Sequence, residues 1–273
     1  MMFDEKEPFI PGHEFIGKVT QVGSAVTKVT VGDHVGVGCY VDSCNSCDDC
    51  KEGEVQFCDG KVISILAAKT GKRVGGNPNT KTQGGYSVSH VVNETFAFKI
   101  PEGMDLTQVA PILCGGITMY DPLKHWGCLD GKKMTVGIVG IGGLGTMGLK
   151  LAKAMGHDVV AISTTDSKEA MAKEKGADFF VASKDPESIK ACAGKCNLIL
   201  NTISSNHDLN VYLPLLARDG VLCQLGLAMS PHPVMQMSLM RGRKSIAGSG
   251  VGSLPNHQEV IDFCAKHKIG SDV

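Results

Sequence analysis

Residues 135–145 read TVGIVGIGGLG, an apolar run that ends in glycines with the spacing G-x-G-x-x-G. The pattern predicts a buried strand, a tight turn and the start of a helix. Such glycines let the backbone approach a pyrophosphate, and the helix N-terminus stabilises its negative charge. A plain glycine-rich turn is the alternative. The residues predicted to line the pyrophosphate are Gly140, Ile141, Gly142, Gly143, Leu144 and Gly145.

The sequence pattern differs on the two sides of this stretch. Downstream, helical segments alternate with apolar runs, which indicates a parallel, doubly wound sheet. The apolar runs are VVAIS, DFFVAS, NLILNTIS, VLCQLG and KSIAGSG. Upstream of about residue 104, short alternating runs such as GKVTQVG and VTVGDHVGVG are separated by Gly and Asp turns and predict a β-rich domain. The polar stretch 69–83 predicts a mobile loop.

The end of the second predicted strand indicates which dinucleotide binds. An NAD-selective protein places an Asp or Glu there, against the ribose 2′-hydroxyl. This chain instead reads Ser163, Thr164 and Thr165, with Lys168 nearby. Hydroxyls and a cation suit a 2′-phosphate, which an acid would repel, although Asp166 follows closely. The sequence therefore predicts NADP(H), and the alternative is that these residues only cap a helix.

Four cysteines follow the pattern C-x2-C-x2-C-x7-C in a polar stretch. They are Cys44, Cys47, Cys50 and Cys58. Close spacing of this kind in a chain with no secretory signal favours a tetrahedral, structural Zn²⁺ site over disulfides or core thiols. Because four thiolates fill such a site, any chemistry must occur elsewhere.

Composition bounds the class of protein. The chain has 273 residues, 42% of them apolar, and a net charge of -1, which describes a globular protein long enough for two domains. Lys and Arg number 27 against 28 Asp and Glu, so no basic surface for nucleic acid is indicated. The sequence offers no apolar run long enough for a membrane, and its eleven cysteines without a signal peptide predict a cytoplasmic protein.

Two further residues are weaker candidates for metal binding. His13 stands in PGHE before the first strand-like run. Cys114 stands in PILCGGIT, where the β-rich part of the sequence meets the part with alternating strands and helices. One imidazole and one thiolate from different domains would place a Zn²⁺ at a cleft. From spacing alone, a structural role for each is the commoner outcome.

Six segments, taken in order, resemble the zinc-containing medium-chain alcohol dehydrogenases, specifically the cinnamyl alcohol dehydrogenase-like, NADP-dependent branch. The segments are GHEFIG, GDHVGVGCYVDSCNSCDDC, GGYSVSHVV, ILCGGIT, GIVGIGGLG and ISTTDSK. The resemblance covers essentially the whole chain. It implies an α/β protein with a GroES-like catalytic domain at 1–113, a Rossmann domain at 114–250 and a return towards the catalytic domain at 251–273.

The resemblance also implies roles for individual residues. His13 and Cys114 would bind a catalytic Zn²⁺, with Glu14 as an alternate ligand, and the four-cysteine segment would bind the structural Zn²⁺. Thr118 would lie near the nicotinamide end of the cofactor. Thr202 and Gly226 would line the cofactor groove. The implied activity is hydride transfer between NADP(H) and an alcohol/aldehyde pair.

The chain departs from the family pattern at both ends. Family members carry another Cys ligand and a proton-relay hydroxyl upstream of the G-H-E segment, and they continue beyond the equivalent of 266–273. Since His13 and Cys114 are then two firm ligands where three are usual, little turnover is expected from the chain as given. A non-catalytic NADP-binding remnant with a structural zinc is the alternative, and a zinc module for nucleic acid is a weaker one. The resemblance leaves a homodimer open.

Overall fold

The computed structural model describes residues 10–60, 62–65 and 81–272. Of the loop predicted at 69–83, residues 69–80 lie outside the described part. The chain forms two compact units, one made of Met1–Ile117 with Val251–Val273 and the other of Thr118–Gly250. These are called unit 1 and unit 2 below, and the domain bounds derived from the sequence stay a prediction.

Strands and helices alternate through the second half of the chain. The strands in the described part are β1 (Phe15–Lys18), β2 (His34–Val37), β3 (Tyr40–Asp42), β4 (Ile63–Ser64), β5 (Phe98–Lys99), β6 (Thr135–Val139), β7 (Asp158–Ser163), β8 (Phe179–Ala182), β9 (Cys196–Asn201), β10 (Leu216–Gln224) and β11 (Ser245–Gly248). The helices are α1 (Asp48–Glu52), α2 (Leu106–Val109), α3 (Gly115–His125), α4 (Gly143–Ala154), α5 (Glu169–Glu174), α6 (Pro186–Ala191), α7 (Gln236–Met240) and α8 (Leu254–His267).

Unit 2 is built on a six-stranded parallel sheet in the order β11-β10-β9-β6-β7-β8. Its central strands are apolar on both faces, as buried parallel strands usually are, and Ile138 and Leu200 face each other in register with no exposed surface. Each such side chain contributes about 1.5–3 kcal/mol when fully buried. The doubly wound sheet predicted from the sequence is confirmed.

The strand order reverses beside β6. Its neighbours β7 and β9 are reached by crossovers that run in opposite directions, and this arrangement opens a crevice at the carboxyl ends of the strands. Gly140 directly follows β6 and has a φ of 87°, a value that L side chains rarely adopt, and its N–H donates to Ile162 O at 3.0 Å. The glycine-rich turn therefore lies where this kind of sheet binds ligands.

Unit 1 contains a small antiparallel sheet in the order β1-β2-β5 and a separate pair, β3-β4. The predicted strand at residues 17–23 is wrong in its bounds, because β1 begins at Phe15 and ends at Lys18. Its partner β2 begins only at His34, after a turn at Gly32 with a φ of 102°. The Val19 N–H still donates to Asp33 O, and the pairing stops there.

Two glycines of the turn allow a matched test of packing. A Cβ on Gly145 would overlap the carbonyl of Gly140, whereas a Cβ on Gly143, the first residue of α4, would meet nothing within 4 Å. We expect Gly145→Ala to lower the free energy of unfolding by about 1–3 kcal/mol, as overpacking usually does. Gly143→Ala is the control, and we expect it to stay within about 1 kcal/mol of the parent because Ala favours a helix. Denaturant titration measures both, and equal stabilities would contradict the packing.

Candidate functional site

The four cysteines of the C-x2-C-x2-C-x7-C pattern converge in unit 1. Their Sγ atoms all lie within 4.8 Å of one another, and Cys44 Sγ is 3.8 Å from Cys50 Sγ. Two thiolates on one tetrahedral Zn²⁺, each bonded at about 2.3 Å, would be separated by about 3.8 Å. The donor set and its spacing therefore fit a four-coordinate Zn²⁺.

Local backbone geometry prepares these thiols for metal. The N–H of Cys47 donates to Cys44 Sγ at 3.3 Å, and the N–H of Cys44 donates to Cys58 Sγ at 3.4 Å. Hydrogen bonds from the Ser46 hydroxyl and from nearby amides lower the pKa of Cys44 to about 5, which favours the thiolate. Helix α1 then ends at Gly53, whose φ of 85° reverses the chain.

A second group of donors lies elsewhere in unit 1. His13, Cys39 and Cys114 each place one ligand atom within 4.8 Å of the other two, and all three are partly buried. His13 precedes β1, Cys39 lies between β2 and β3, and Cys114 immediately precedes α3. The structure thus brings together His13 and Cys114, which are 101 residues apart in the sequence, as the resemblance implied.

Hydrogen bonds within this second group favour an anionic thiolate. The bond with Cys39, followed by the bond with His13 and its charge, lowers the pKa of Cys114 to about 5 against the opposing effect of burial. The same His13–Cys114 bond raises the pKa of the imidazole, while the bond with Cys114 raises the pKa of Cys39. One thiolate, one thiol and one imidazole are a donor set suited to Zn²⁺.

Glu14, expected as an alternate ligand, is not one of the three residues that converge. Its carboxyl group is partly buried, and burial, followed by the charge of Cys114, raises its pKa to about 7. The carboxyl group therefore belongs to the surroundings of the site, and its role as a ligand stays a prediction.

Cys39 was not predicted from the sequence to belong to any site. It stands five residues before Cys44, at the end of the run VGVG, and so it matches neither the C-x2-C spacing nor the G-H-E segment. Its proximity to His13 and Cys114 arises from strand register, which composition and spacing do not report. The sequence offered one signal: Cys39 lies next to the predicted zinc segment and is not part of its four-cysteine pattern.

The glycine-rich turn of unit 2 leaves room for a ligand. Cβ atoms on Gly142 or Gly143 would have no neighbour within 4 Å, and both glycines are exposed at the N-terminus of the twelve-residue α4. The Thr146 hydroxyl bonds back to the carbonyls of Gly142 and Gly143, so it does not fill this space. An open helix N-terminus after a parallel strand is suited to an anionic group.

The end of β7 lies beside this turn. Lys168 Nζ donates to Ile141 O at 2.7 Å, which ties the segment after β7 to the glycine-rich turn. Thr164, Thr165 and Lys168 are exposed and Ser163 is partly exposed, and Thr165 makes no side-chain capping bond to the short 3₁₀ helix Asp166–Lys168. Thr165 therefore does not cap this short helix, and its hydroxyl lies 3.0 Å from that of Ser167.

Two more of the expected cofactor residues lie at the same edge of the sheet. Thr202 follows β9, and its hydroxyl donates to Val139 O at 2.8 Å and to Gly140 O at 3.0 Å. Gly226 follows β10, where a Cβ would overlap the backbone of Ile203. Thr118 lies instead within α3, where it is 9% exposed. Thr202 thus anchors the turn that Gly140 begins.

Within the described part of the chain, no helix is both long and apolar enough to cross a membrane.

Comparison with known proteins places both units in one family. A model of the alcohol dehydrogenase GroES-like domain matches residues 1–102, and a model of the zinc-binding dehydrogenases matches residues 143–266. NADP-dependent alcohol dehydrogenase C 1 of Mycolicibacterium smegmatis is 46% identical over 267 residues, which cover 97% of this chain and 74% of the relative. Probable cinnamyl alcohol dehydrogenase 2 of Picea abies is 44% identical and covered to 72%.

Solved structures agree with these sequence relatives. A cinnamyl alcohol dehydrogenase from Sorghum bicolor superposes with a TM-score of 0.90 at 36% identity, over 97% of this chain and 74% of that one. A CAD from Helicobacter pylori, solved in complex with NADP(H), has a TM-score of 0.87 at 36% identity and the same coverage. The chain belongs to the zinc-binding medium-chain alcohol dehydrogenases, and the predicted pairing of GroES-like and Rossmann folds is confirmed.

Metal content tests the two donor groups. We expect purified protein to keep about one tightly held zinc in the closed four-cysteine group, while the second site, at His13 and Cys114, is only partly filled or empty. Cys44→Ser should lose the first zinc and lower thermal stability, because a structural zinc contributes directly to folding. Elemental analysis during chelator dialysis measures both metals.

The control for this experiment is Cys128→Ser, which changes a buried thiol outside both groups and should keep the zinc content of the parent. If Cys44→Ser also kept its zinc and its stability, the four-cysteine group would not be a structural zinc site.

Proposed function

We propose that the protein is a zinc-dependent alcohol dehydrogenase that transfers a hydride between NADP(H) and an alcohol/aldehyde pair. The observation that carries the proposal is that one chain holds a closed four-thiolate group, a separate group of three zinc donors and an open, glycine-rich helix N-terminus. These three groups would serve separate tasks: structural support, activation of a carbonyl group and binding of the cofactor, respectively. The substrate class follows from the named relatives, which are alcohol and cinnamyl alcohol dehydrogenases.

The nucleotide is assigned to unit 2. The amides at the start of α4 would face the pyrophosphate, and the open space at Gly142 and Gly143 would let the backbone approach it. Ser163, Thr164, Thr165 and Lys168 would surround the 2′-phosphate of NADP(H), since hydroxyls donate to it and the ammonium neutralises its charge. When bound, this cofactor supplies the hydride.

The metal ions are assigned to unit 1. Cys44, Cys47, Cys50 and Cys58 would hold the structural zinc and fix the segment between β3 and the 3₁₀ turn Val55–Phe57. His13 and Cys114 would hold the catalytic zinc, which when bound supplies a Lewis acid for the carbonyl oxygen of the aldehyde. The ligand atoms of His13 and Cys114 already lie within 4.8 Å of each other, so little reorganisation is needed to bind metal.

Two alternatives are less well supported. The named relatives do not support the non-catalytic remnant, because these dehydrogenases match 97% of this chain. The nucleic-acid module lacks a basic surface, since charges balance to -1 and acidic residues begin helix α1 of the zinc segment.

Location and assembly are also proposals. Eleven free cysteines support a reducing compartment, and the cytoplasm is the simplest assignment. A homodimer is proposed only because symmetric pairs are the commonest assemblies of soluble proteins.

Cofactor choice is testable at Ser163. We expect NADPH to bind more tightly than NADH, and Ser163→Asp to weaken NADPH binding at least about tenfold, equivalent to about 1.4 kcal/mol. The reason is electrostatic, since two like charges about 4 Å apart near a protein surface repel each other by about 4 kcal/mol. Nicotinamide fluorescence titration measures both dissociation constants. Ser163→Asn is the matched uncharged control, and equal affinities of the parent for NADPH and NADH would refute the assignment.

Activity is testable at His13. We expect His13→Ala to reduce aldehyde-dependent oxidation of NADPH by at least about 100-fold, because Lewis-acid activation is worth several kcal/mol. Its affinity for NADPH should equal that of the parent, since the nucleotide is assigned to the other unit. His34→Ala, an exposed histidine at the start of β2, is the control. If no aldehyde in a panel of aromatic and aliphatic substrates supports oxidation of NADPH by the parent, the proposed function is wrong.

A further inference from the structure

Asn201, the last residue of β9, carries a buried amide whose polar atoms are all hydrogen-bonded. Its side chain has no exposed surface. The amide Nδ2 donates to His207 Nε2 at 2.7 Å and to Gln224 Oε1 at 2.8 Å. The amide Oδ1 accepts from the Ile203 N–H at 3.2 Å. Both donor hydrogens and the carbonyl oxygen of this side chain are therefore satisfied within unit 2.

The neighbours of Asn201 determine which way its amide points. His207 Nδ1 lies 2.7 Å from Ser205 O, and a carbonyl oxygen can only accept, so Nδ1 carries the ring proton and Nε2 accepts from Asn201. On the other side, the Ile203 N–H can only donate, so the amide oxygen must face it. This position thus needs an amide, because a carboxylate has no hydrogen to donate and an apolar side chain has neither donor nor acceptor.

The main chain of Asn201 joins β9 to the segment that follows β10. Its carbonyl accepts from the Leu225 N–H at 2.9 Å and from the Gly226 N–H at 3.0 Å. Ile203 packs between two glycines, since a Cβ on Gly140 would come within 3.2 Å of Ile203 Cγ1 and a Cβ on Gly226 would overlap the Ile203 backbone. The bonds of Asn201 therefore hold Ile203 and Gly226 in place against the glycine-rich turn.

The sheet order places these contacts on one side of β6. The proposed 2′-phosphate site is at the end of β7 and the proposed pyrophosphate site is the turn after β6, whereas β9 and β10 lie on the opposite side of β6. A dinucleotide bound across such a crevice places one nucleotide on each side of the point where the strand order reverses. The nicotinamide half would then lie over the ends of β9 and β10.

We propose that Asn201 is a positioning residue for the nicotinamide half of the cofactor and acts through Ile203 and Gly226. The proposal rests on the proposed function, since it requires NADP(H) to bind in this crevice. Asn201 itself is fully buried, whereas Ile203 and Gly226 are partly exposed, so its hydrogen bonds hold the segments that face a ligand. Segments already held in the bound geometry lose less conformational entropy on binding, which raises affinity.

Two ligands separate positioning from general stability. NADPH carries the nicotinamide half, whereas adenosine 2′,5′-bisphosphate carries only the 2′-phosphate half. We expect Asn201→Leu, which keeps the branched shape of the side chain and removes its hydrogen bonds, to weaken NADPH binding at least about tenfold. Its affinity for the bisphosphate should change by less than about twofold, because that ligand is assigned to the end of β7. Isothermal titration calorimetry measures both dissociation constants.

A second pair of variants makes the test independent of how well Asn201→Leu folds. His207→Leu removes one acceptor of the amide at a partly exposed position. We expect it to weaken NADPH binding at least about threefold and to leave binding of the bisphosphate as in the parent. His207→Gln supplies an acceptor again, so its affinity for NADPH should return to within about twofold of the parent.

The control variant is Asn197→Leu, near the other end of β9. The Asn197 side chain also bonds to backbone, since its Oδ1 accepts from the Thr135 N–H at 2.9 Å, but it lies far along the strand from the carboxyl end. Both affinities should equal those of the parent. If Asn201→Leu weakened the two ligands equally, or left NADPH binding unchanged, Asn201 would have a structural role alone and the proposal would be wrong.

The outcomes also separate this proposal from the proposed function. A selective loss of NADPH binding in Asn201→Leu, in a chain that reduces no aldehyde, would support the positioning role and overturn the enzymatic assignment. Aldehyde reduction by the parent, with equal loss of both ligands in Asn201→Leu, would do the reverse. A parent that bound no NADPH would overturn both.

Discussion

The packing of β2 on the turn at Leu113 is the constraint on which the metal-binding half of the molecule depends. A Cβ on Gly36 would approach Leu113 Cδ1 to 2.7 Å, and one on Gly38 would approach Leu113 O to 2.9 Å. Two residues without side chains therefore let the strand lie directly against the segment that leads into Cys114. The chain continues from there into β3 and the four-cysteine segment, so both donor groups inherit their positions from this contact.

The two donor groups differ in a way that suits different tasks. The first is nearly local, since its four sulfurs fall within fifteen residues and its hydrogen bonds come from neighbouring amides. The second joins residues 13, 39 and 114, and its hydrogen bonds run between the members of the group themselves. A local group can form early and stabilise its own loop, whereas the second exists only once the sheet of unit 1 has formed.

Local patterns explain why much of this molecule was predictable. The apolar runs of unit 2 and the glycine spacing at 140–145 report secondary structure directly, and a parallel sheet follows from their alternation. Cys39 was missed because its partners are set by the pairing of Phe15 with Val37, and register between distant strands leaves no periodic trace in the sequence. The end of β1 was placed too late for the same reason, since a strand stops where its partner does.

The bond from Lys168 Nζ to Ile141 O has a consequence for cofactor discrimination. In the folded protein this ammonium already has an acceptor, the carbonyl of a residue inside the glycine-rich turn. If Lys168 binds the 2′-phosphate, as proposed above, the phosphate would have to compete for a donor already in use, and an exchange of that kind forfeits about 0.5–1.5 kcal/mol. Under that proposal, selectivity between the two nicotinamide dinucleotides would depend on whether Lys168 bonds the Ile141 carbonyl or the phosphate, and it would be coupled to the shape of the glycine-rich turn.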